Sequence, residues 1–244
     1  MPRKAIKSTF SKKTSQGYQV FNPHDLQGEP IIDKEVIVVS IDPGIVNCGI
    51  YICKKDIKTK KKTSLYLDNM KFCEGMAEAE NFYYNSLKFL DTLEAETHLL
   101  SSAHYIIVEA QMRHNRNTRV GQHLMTYFMT RLRNKGNRPW IIEITAKAKT
   151  NSLGCPKMDK PAYKKWCANR AIDLLQQRKS KDEMMFISSL KNAKKKDDMG
   201  DVICQYEAWD LIGVNEVEDC IDLSPIKEED GEDEDLYKFS EDEN

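Results

Sequence analysis

Apolar residues in this chain alternate between strand-like and helix-like patterns from about residue 36 to residue 212, with polar and highly charged sequence on either side. Residues 36–41, within EVIVVSID, are a near-continuous β-branched run, the pattern of a strand buried on both faces. A DPG turn signal follows, then GIYICKK as a second strand, a lysine-rich hairpin tip, and SLYLDNMKF as a third strand. Residues 78–100 set Phe82, Leu87, Leu90 and Leu93 at helical spacing and predict a crossover helix. HYIIVEAQ returns to strand, residues 118–134 read as a helix, and PWIIEIT is another strand. A helix over 160–177 carries Trp166, Ala168, Ala171, Leu174 and Leu175 on one side, and a last helix opens at DDMGD. The order β-β-β-α-β-α-β-α-α predicts an α/β fold in which an antiparallel meander feeds parallel crossovers.

Composition adds three units to this picture. Residues 1–30 are basic and without periodicity and read as a flexible arm; residues 31–215 hold the folded domain; residues 216–244 read as an acidic, disordered tail. The formal net charge of −1 conceals an asymmetry, because residues 216–244 contain 14 Asp or Glu against two Lys. The remainder is therefore strongly basic, and nucleic acid is the first candidate partner for such a body. No apolar run approaches the roughly 20 residues that span a bilayer, and the N-terminal stretch has no apolar signal core, so an intracellular, non-secreted protein without a membrane partner is expected. Seven cysteines without a CxxC pair signal neither zinc nor a disulfide framework.

The chemistry concentrates in four carboxylates. Asp42 closes the first strand, Glu109 closes HYIIVEAQ, and Asp198 and Asp201 open the last helix at i, i+3 spacing, which puts them on one face. Local structural roles are open to each: Asp42 can cap the DPG turn, Glu109 can pair with Arg113, and acidic residues favour a helix N-terminus, where Asp197 can serve as N-cap. Taken together, carboxylates from distant segments at strand ends repel one another unless a cation lies between them, which points to hard divalent metals and phosphoryl transfer. No Ser-His-acid or Cys-His set competes; the five histidines are dispersed, His98 and His104 read as surface residues, and His114 alone is placed near DNA.

The combination of IDPG on a first strand, VE at the end of a later strand, and DDxxD opening a late helix resembles the RuvC branch of the RNase H-like superfamily, above all the poxvirus-type Holliday junction resolvases of large DNA viruses. The likeness spans about residues 36–212. It implies a mixed five-stranded sheet, three antiparallel strands plus parallel strands, flanked by helices. It implies that Asp42, Glu109, Asp198 and Asp201 bind two Mg2+ ions, for which Mn2+ is an expected substitute, with Asp42 bridging them and Asp197 a weaker candidate. A catalytic lysine is expected between the glutamate strand and the last helix, and KMDKPAYKKWCANR offers Lys160, Lys164 and Lys165, of which Lys164 or Lys165 is favoured. The implied activity is paired symmetric nicking of four-way DNA junctions by a homodimer, in recombination or viral concatemer processing in the host cytoplasm or nucleus.

Basic segments complete the expectations. Arg113, Arg116 and Arg119 follow Glu109 in QMRHNRNTR and should hold phosphates at the rim of the site, with Lys160 as a further contact. The lysines at 54–62 either reach a second duplex arm or only solubilise a hairpin. Met125, Tyr127, Phe128 and Met129 on the helix at 118–134 offer a core face and a dimer face. Three other readings stay open: an RNase H-like nuclease for RNA–DNA hybrids or flaps, a non-catalytic junction binder, and an actin-like or sugar-kinase-type ATPase, which the string DxGxxxxG at Asp42 also resembles.

Overall fold

A computed structural model describes residues 11–13, 18–21, 34–71, 90–92, 95, 97–111, 117–131 and 139–219. Strand β3 (Glu35–Asp42) lies inside the sheet, paired antiparallel with β4 (Asn47–Asp56) and parallel with β6 (Tyr105–Glu109). Strand β5 (Lys62–Lys71) closes one edge against β4, and β7 (Trp140–Ile144) runs parallel to β6 on the other side. This is the expected five-stranded mixed sheet. Two short strands extend it: β1 (Ser11–Lys13) and β2 (Tyr18–Phe21) form an antiparallel pair, and β2 pairs antiparallel with β7. The full order is β1-β2-β7-β6-β3-β4-β5, seven strands where five were expected. Part of the segment read as a flexible arm is thus sheet edge: Val20 and Phe21 sit opposite Ile142 and Ile141, a pairing no local periodicity announces.

The two-sided burial predicted for β3 divides the core. Val36 and Val38 belong to one apolar cluster and Val39 and Ile41 to the other, because successive side chains leave a strand on opposite faces. Helices α1 (Thr97–Leu100) and α2 (Asn117–Arg131) contribute Leu100, Val120, Leu124 and Phe128 to the cluster around Val39 and Ile41. The crossover helix expected over 78–100 lies largely outside the described residues; its C-terminal end is helical. On the opposite face lie α3 (Ala146–Ser152), α4 (Lys160–Gln177), α5 (Lys181–Asn192) and α6 (Lys196–Asp219). Helices α3 and α5 were not anticipated. Helix α6 runs to Asp219, past the boundary expected at residue 215, and residues 220–244 lie outside the described residues.

Side-chain hydrogen bonds fix α6 on the sheet. The Gln205 amide, Nε2, donates to the carbonyls of Ile41 (3.1 Å) and Ile107 (3.2 Å), and Ser40 Oγ donates to the carbonyl of Val202 (2.8 Å). A buried ionic network fastens its far half. Arg178 donates to Tyr51 OH (2.6 Å), Ser64 Oγ (2.9 Å), Glu183 (3.2 Å) and Glu207 (2.7 Å), while Lys62 pairs with Glu207 and Asp210, and Lys55 also pairs with Asp210. Two of the hairpin lysines read as solvent-facing therefore turn inward onto α6, leaving Lys58, Lys60 and Lys61 exposed at the tip. His104, expected at the surface, is buried and accepts from the Ile37 amide through Nδ1 (3.1 Å). The five described cysteines, Cys48, Cys53, Cys155, Cys167 and Cys204, are free thiols.

Candidate active site

Strand register brings the first two carboxylates together. Ile41 is level with Val108 across the parallel β3–β6 pair, so Asp42 and Glu109, each one residue on, end neighbouring strands on the same face. Neighbouring strands lie about 4.8 Å apart, which sets the spacing of these two groups. The row continues across the sheet: Asp42 pairs with Gly49, Gly49 pairs with Asn69, and Glu109 is level with Ile144. Asn69, Gly49, Asp42, Glu109 and Ile144 thus form one line over five strands.

Gly49 is the position in that line without a side chain, and the helix bearing the other two carboxylates rests there. A Cβ on Gly49 would come within 2.8 Å of the Asp198 carbonyl oxygen and 3.0 Å of Val202 Cγ1. Only glycine allows the first turn of α6 to approach the sheet this closely. Asp198 and Asp201 then reach the carboxylate row from above. Asn69 Nδ2 donates to Asp198 Oδ2 (3.4 Å), and Gln111 Nε2 donates to Asp42 Oδ1 (3.2 Å).

At the other end of the row, Ile144 leads through Thr145 into α3. Thr145 is the N-cap, its hydroxyl accepting from the Ala148 amide (3.2 Å), so α3 begins immediately beyond the strand and next to Glu109. Its fourth residue, Lys149, is almost wholly buried, and its ammonium donates to Glu109 Oε2 and Asp201 Oδ1, both at 2.7 Å. Burial pushes this ammonium down, but Glu109 and Asp201 more than offset that and hold it well above the ordinary lysine value, so it is charged. Lys149 was not among the lysines that sequence reasoning offered for the site. It sits in AKAKTNS, which has no apolar periodicity; the available signal was the Thr cap directly after a strand that neighbours the Glu109 strand.

The two favoured lysines lie elsewhere. Lys164 forms an ion pair with Asp197 and acts on Asp198 only through its charge, and Lys165 and Lys160 are exposed on α4. Burial raises Asp197, but the hydrogen bond from Lys164 reverses this and holds the carboxyl below its ordinary value. Arg119 is exposed in the first turn of α2, beside the Asp42 loop, to which Asn117 is tied by accepting from the Ile45 amide (3.2 Å). Arg113, His114 and Arg116 lie outside the described residues.

One ammonium does not balance four carboxylates. Burial, then the negative charge of Glu109, pushes the Asp42 carboxyl well above its ordinary value; Lys149 opposes this, and Asp201 and Asp198 raise it further. Burial likewise raises Asp198. Among the described residues no three candidate ligands are drawn together as a finished metal cage; Glu109 and Asp201 are gathered on Lys149 instead. The donor set nevertheless fits a hard divalent cation. It is all oxygen and in negative excess, and Asn69, which donates to Asp198, adds a buried carbonyl oxygen, Oδ1, that has no hydrogen-bond partner among the described residues.

Comparison with solved structures places this architecture. The yeast mitochondrial Holliday junction resolvase Ydc2 superposes with a TM-score of 0.50 at 16% identity, covering 77% of this chain and 84% of that one. The fold is RNase H-like. A fowlpox virus resolvase in complex with Holliday junction DNA superposes with a TM-score of 0.49 at 14% identity, covering 73% of this chain and 100% of that one. By sequence, uncharacterized protein 170L of invertebrate iridescent virus 6 is 26% identical, over 73% of this chain and 90% of its own length. No protein-family model matches the chain. In this RNase H-like frame the four carboxylates occupy the carboxyl ends of two adjacent parallel strands and the first two turns of the helix packed over them. No described helix is long and apolar enough to cross a membrane.

Proposed function

We propose that the chain is a structure-specific endodeoxyribonuclease that resolves four-way DNA junctions by divalent-metal-dependent phosphodiester hydrolysis. The observation that carries this reading is the convergence of Asp42, Glu109 and Asp201, with Asp198 alongside, around a single buried lysine in an RNase H-like sheet. Ydc2, which has this fold, is a Holliday junction resolvase, and that favours branched DNA over hybrids or flaps as the substrate.

Asp42, Glu109, Asp198 and Asp201 would hold two Mg2+ ions. Bound magnesium supplies an activated water and charge neutralisation at the scissile phosphate. The remaining tasks fall to the chain itself. Lys149 keeps a fixed positive charge in a water-poor position, where it steadies negative charge developing on phosphate oxygens without reorganising. Gln111 and Asn69 orient Asp42 and Asp198. Arg119 at the rim, with Lys160 and Lys165 on the exposed side of α4 and Arg113 and Arg116 in the segment before α2, would hold backbone phosphates in a salt-sensitive, sequence-independent way.

Resolution requires cuts in two opposed strands, which suits a two-fold homodimer. Met125, Tyr127 and Met129 on α2 are only partly buried against the core and are our choice for its interface. The viral relative is consistent with a role in recombination or concatemer processing during viral replication.

The test is incubation of the purified chain with end-labelled four-way junction, RNA–DNA hybrid and flap substrates, in MgCl2 or in EDTA. Paired nicks in opposed junction arms, absent in EDTA, are expected. Cleavage of hybrids or flaps at an equal or greater rate, or cutting that persists in EDTA, would overturn the reading.

A further inference from the structure

The Asp201 carboxylate is held unevenly. Its Oδ1 accepts from Lys149 Nζ (2.7 Å), Cys167 Sγ (3.0 Å) and Tyr163 OH (3.1 Å). A carboxylate has about four acceptor positions over two oxygens, so three donors on one oxygen exhaust it. Tyr163 and Cys167 stand four residues apart on α4 and so share the face turned toward α6. The approach of the two helices is enforced beside Asp201, where a Cβ on Gly200 would lie 3.0 Å from Ala168 Cα and 3.1 Å from the Cys167 carbonyl oxygen. Tyr163 is braced by stacking on Trp166, with ring centroids 6.2 Å apart and an interplanar angle of 23°.

We infer that Tyr163 and Cys167 are positioning residues that divide the labour of Asp201, occupying Oδ1 so that Oδ2 is presented to a divalent cation. This rests on the reading of the four carboxylates as a metal-holding set. Both donors are neutral, and this matters for the chemistry. Lys149 also holds Oδ1, but its charge competes with the cation, and it is shared with Glu109. A phenol and a thiol orient the carboxylate without cancelling its charge. Phenols and thiols ordinarily titrate at about 10 and about 8.5, so both are donors at neutral pH. Hydrogen-bonding partners of metal-ligating side chains typically contribute about 10- to 100-fold to metal affinity.

The test is calorimetric titration of the full-length chain with MgCl2 in the absence of DNA, paired with thermal unfolding in EDTA. Tyr163→Phe and Cys167→Ala are each expected to weaken Mg2+ binding about tenfold. Cys167→Ser, which restores a hydroxyl donor, is expected to stay within about twofold to threefold of the wild type, below the roughly 10- to 100-fold typical of a lost partner. In junction cutting, the Mg2+ concentration for half-maximal rate should rise in Tyr163→Phe while the rate at saturating Mg2+ changes little. Wild-type Mg2+ affinity in Tyr163→Phe and Cys167→Ala, even with lowered unfolding temperatures, would overturn the clamp and leave the nuclease reading standing. Failure of the wild type itself to take up Mg2+ would overturn both, and Asp201→Asn sets the level expected for a lost ligand.

Discussion

Lys149 is where the energetics of the site can be read most directly. Lys149→Met keeps the length and apolar body of the side chain and removes only the ammonium, leaving Glu109 and Asp201 without the cation they share. Breaking a buried ion pair by removing one partner costs about 3–5 kcal/mol. For a domain of this size 1 kcal/mol corresponds to about 2–4 °C, so in EDTA the unfolding temperature should drop by about 6–20 °C. Magnesium should act in the opposite sense on the variant. One uncompensated negative charge about 5 Å from a cation is worth about 3 kcal/mol per unit charge at an effective dielectric of about 20. Half of that, after screening, is about tenfold in affinity. Lys149→Met is therefore expected to bind Mg2+ about tenfold more tightly than the wild type and to recover a larger share of its stability on adding MgCl2. Its junction cutting should nevertheless fall by about 10²–10³-fold at saturating Mg2+, because a preorganised charge at the reacting phosphate is gone. Scanning fluorimetry across an MgCl2 series, with single-turnover cutting, reads both effects. An unfolding temperature in EDTA within about 2 °C of wild type, below the smallest drop expected from pair breaking, with an unchanged Mg2+ response, would refute the argument that this ammonium neutralises the site.

Other perturbations test the remaining parts. Asp42→Asn should abolish cutting while leaving junction binding intact, and in EDTA it should raise the unfolding temperature near pH 7.5. The sign follows from the raised folded-state pKa: stability from the protonated carboxyl is present below about 3.9, the unfolded value, and is lost as pH rises through the folded value, so the variant's gain should fade toward pH 4. Gly49→Ala places a Cβ 2.8 Å from the Asp198 carbonyl oxygen and should cost about 1–3 kcal/mol, with a loss of cutting beyond the stability loss, measured by chemical denaturation and junction assay. Arg178→Met, in the buried network remote from the carboxylates, should destabilise by about 3–5 kcal/mol while cutting per folded molecule stays at wild-type level. Replacing Lys58, Lys60 and Lys61 with Ser should leave the cleavage rate at saturating DNA unchanged. The hairpin tip flanks the Glu35 end of β3, about 23 Å of strand from Asp42, so only weak binding at low salt should change.

Much of the fold was legible because its strands are the chain's strongest local signal. The run at 35–42 and the HYIIVEAQ and PWIIEIT segments each form strands within a residue or so of their apolar stretches, and the helix expected at 160–177 spans Lys160–Gln177. What was missed lacks a local signal. Helix α3 is too short for periodicity, and β1 and β2 are strands of three and four residues held at the sheet edge by the pairing of β2 with β7, more than a hundred residues away. The hairpin lysines show a related failure. Lys55 and Lys62 look identical to Lys58 in sequence, yet Asp210 and Glu207, about 150 residues on, turn the first two inward.

The buried lysine of the site divides along the same line. Carboxylates are conspicuous where an apolar element ends or begins, since hydropathy changes sign abruptly there: Asp42 and Glu109 end strands, and Asp198 and Asp201 stand near the start of a helix. A lysine drawn into the site by two of those carboxylates leaves no such mark, because its burial is a consequence of the assembled charge and not of its neighbours in sequence. The register decides it: once Glu109 is level with Ile144, the first turns of whatever follows β7 must lie over Glu109, and a Thr cap with a lysine four residues on fills that place. Lysines on α4 had the better-looking local sequence, KKW, but α4 meets α6 through Tyr163, Cys167 and Ala168, and that contact turns Lys164 toward Asp197 and leaves Lys165 in solvent. Sequence position relative to a strand end was thus a better guide to the site than the density of basic residues.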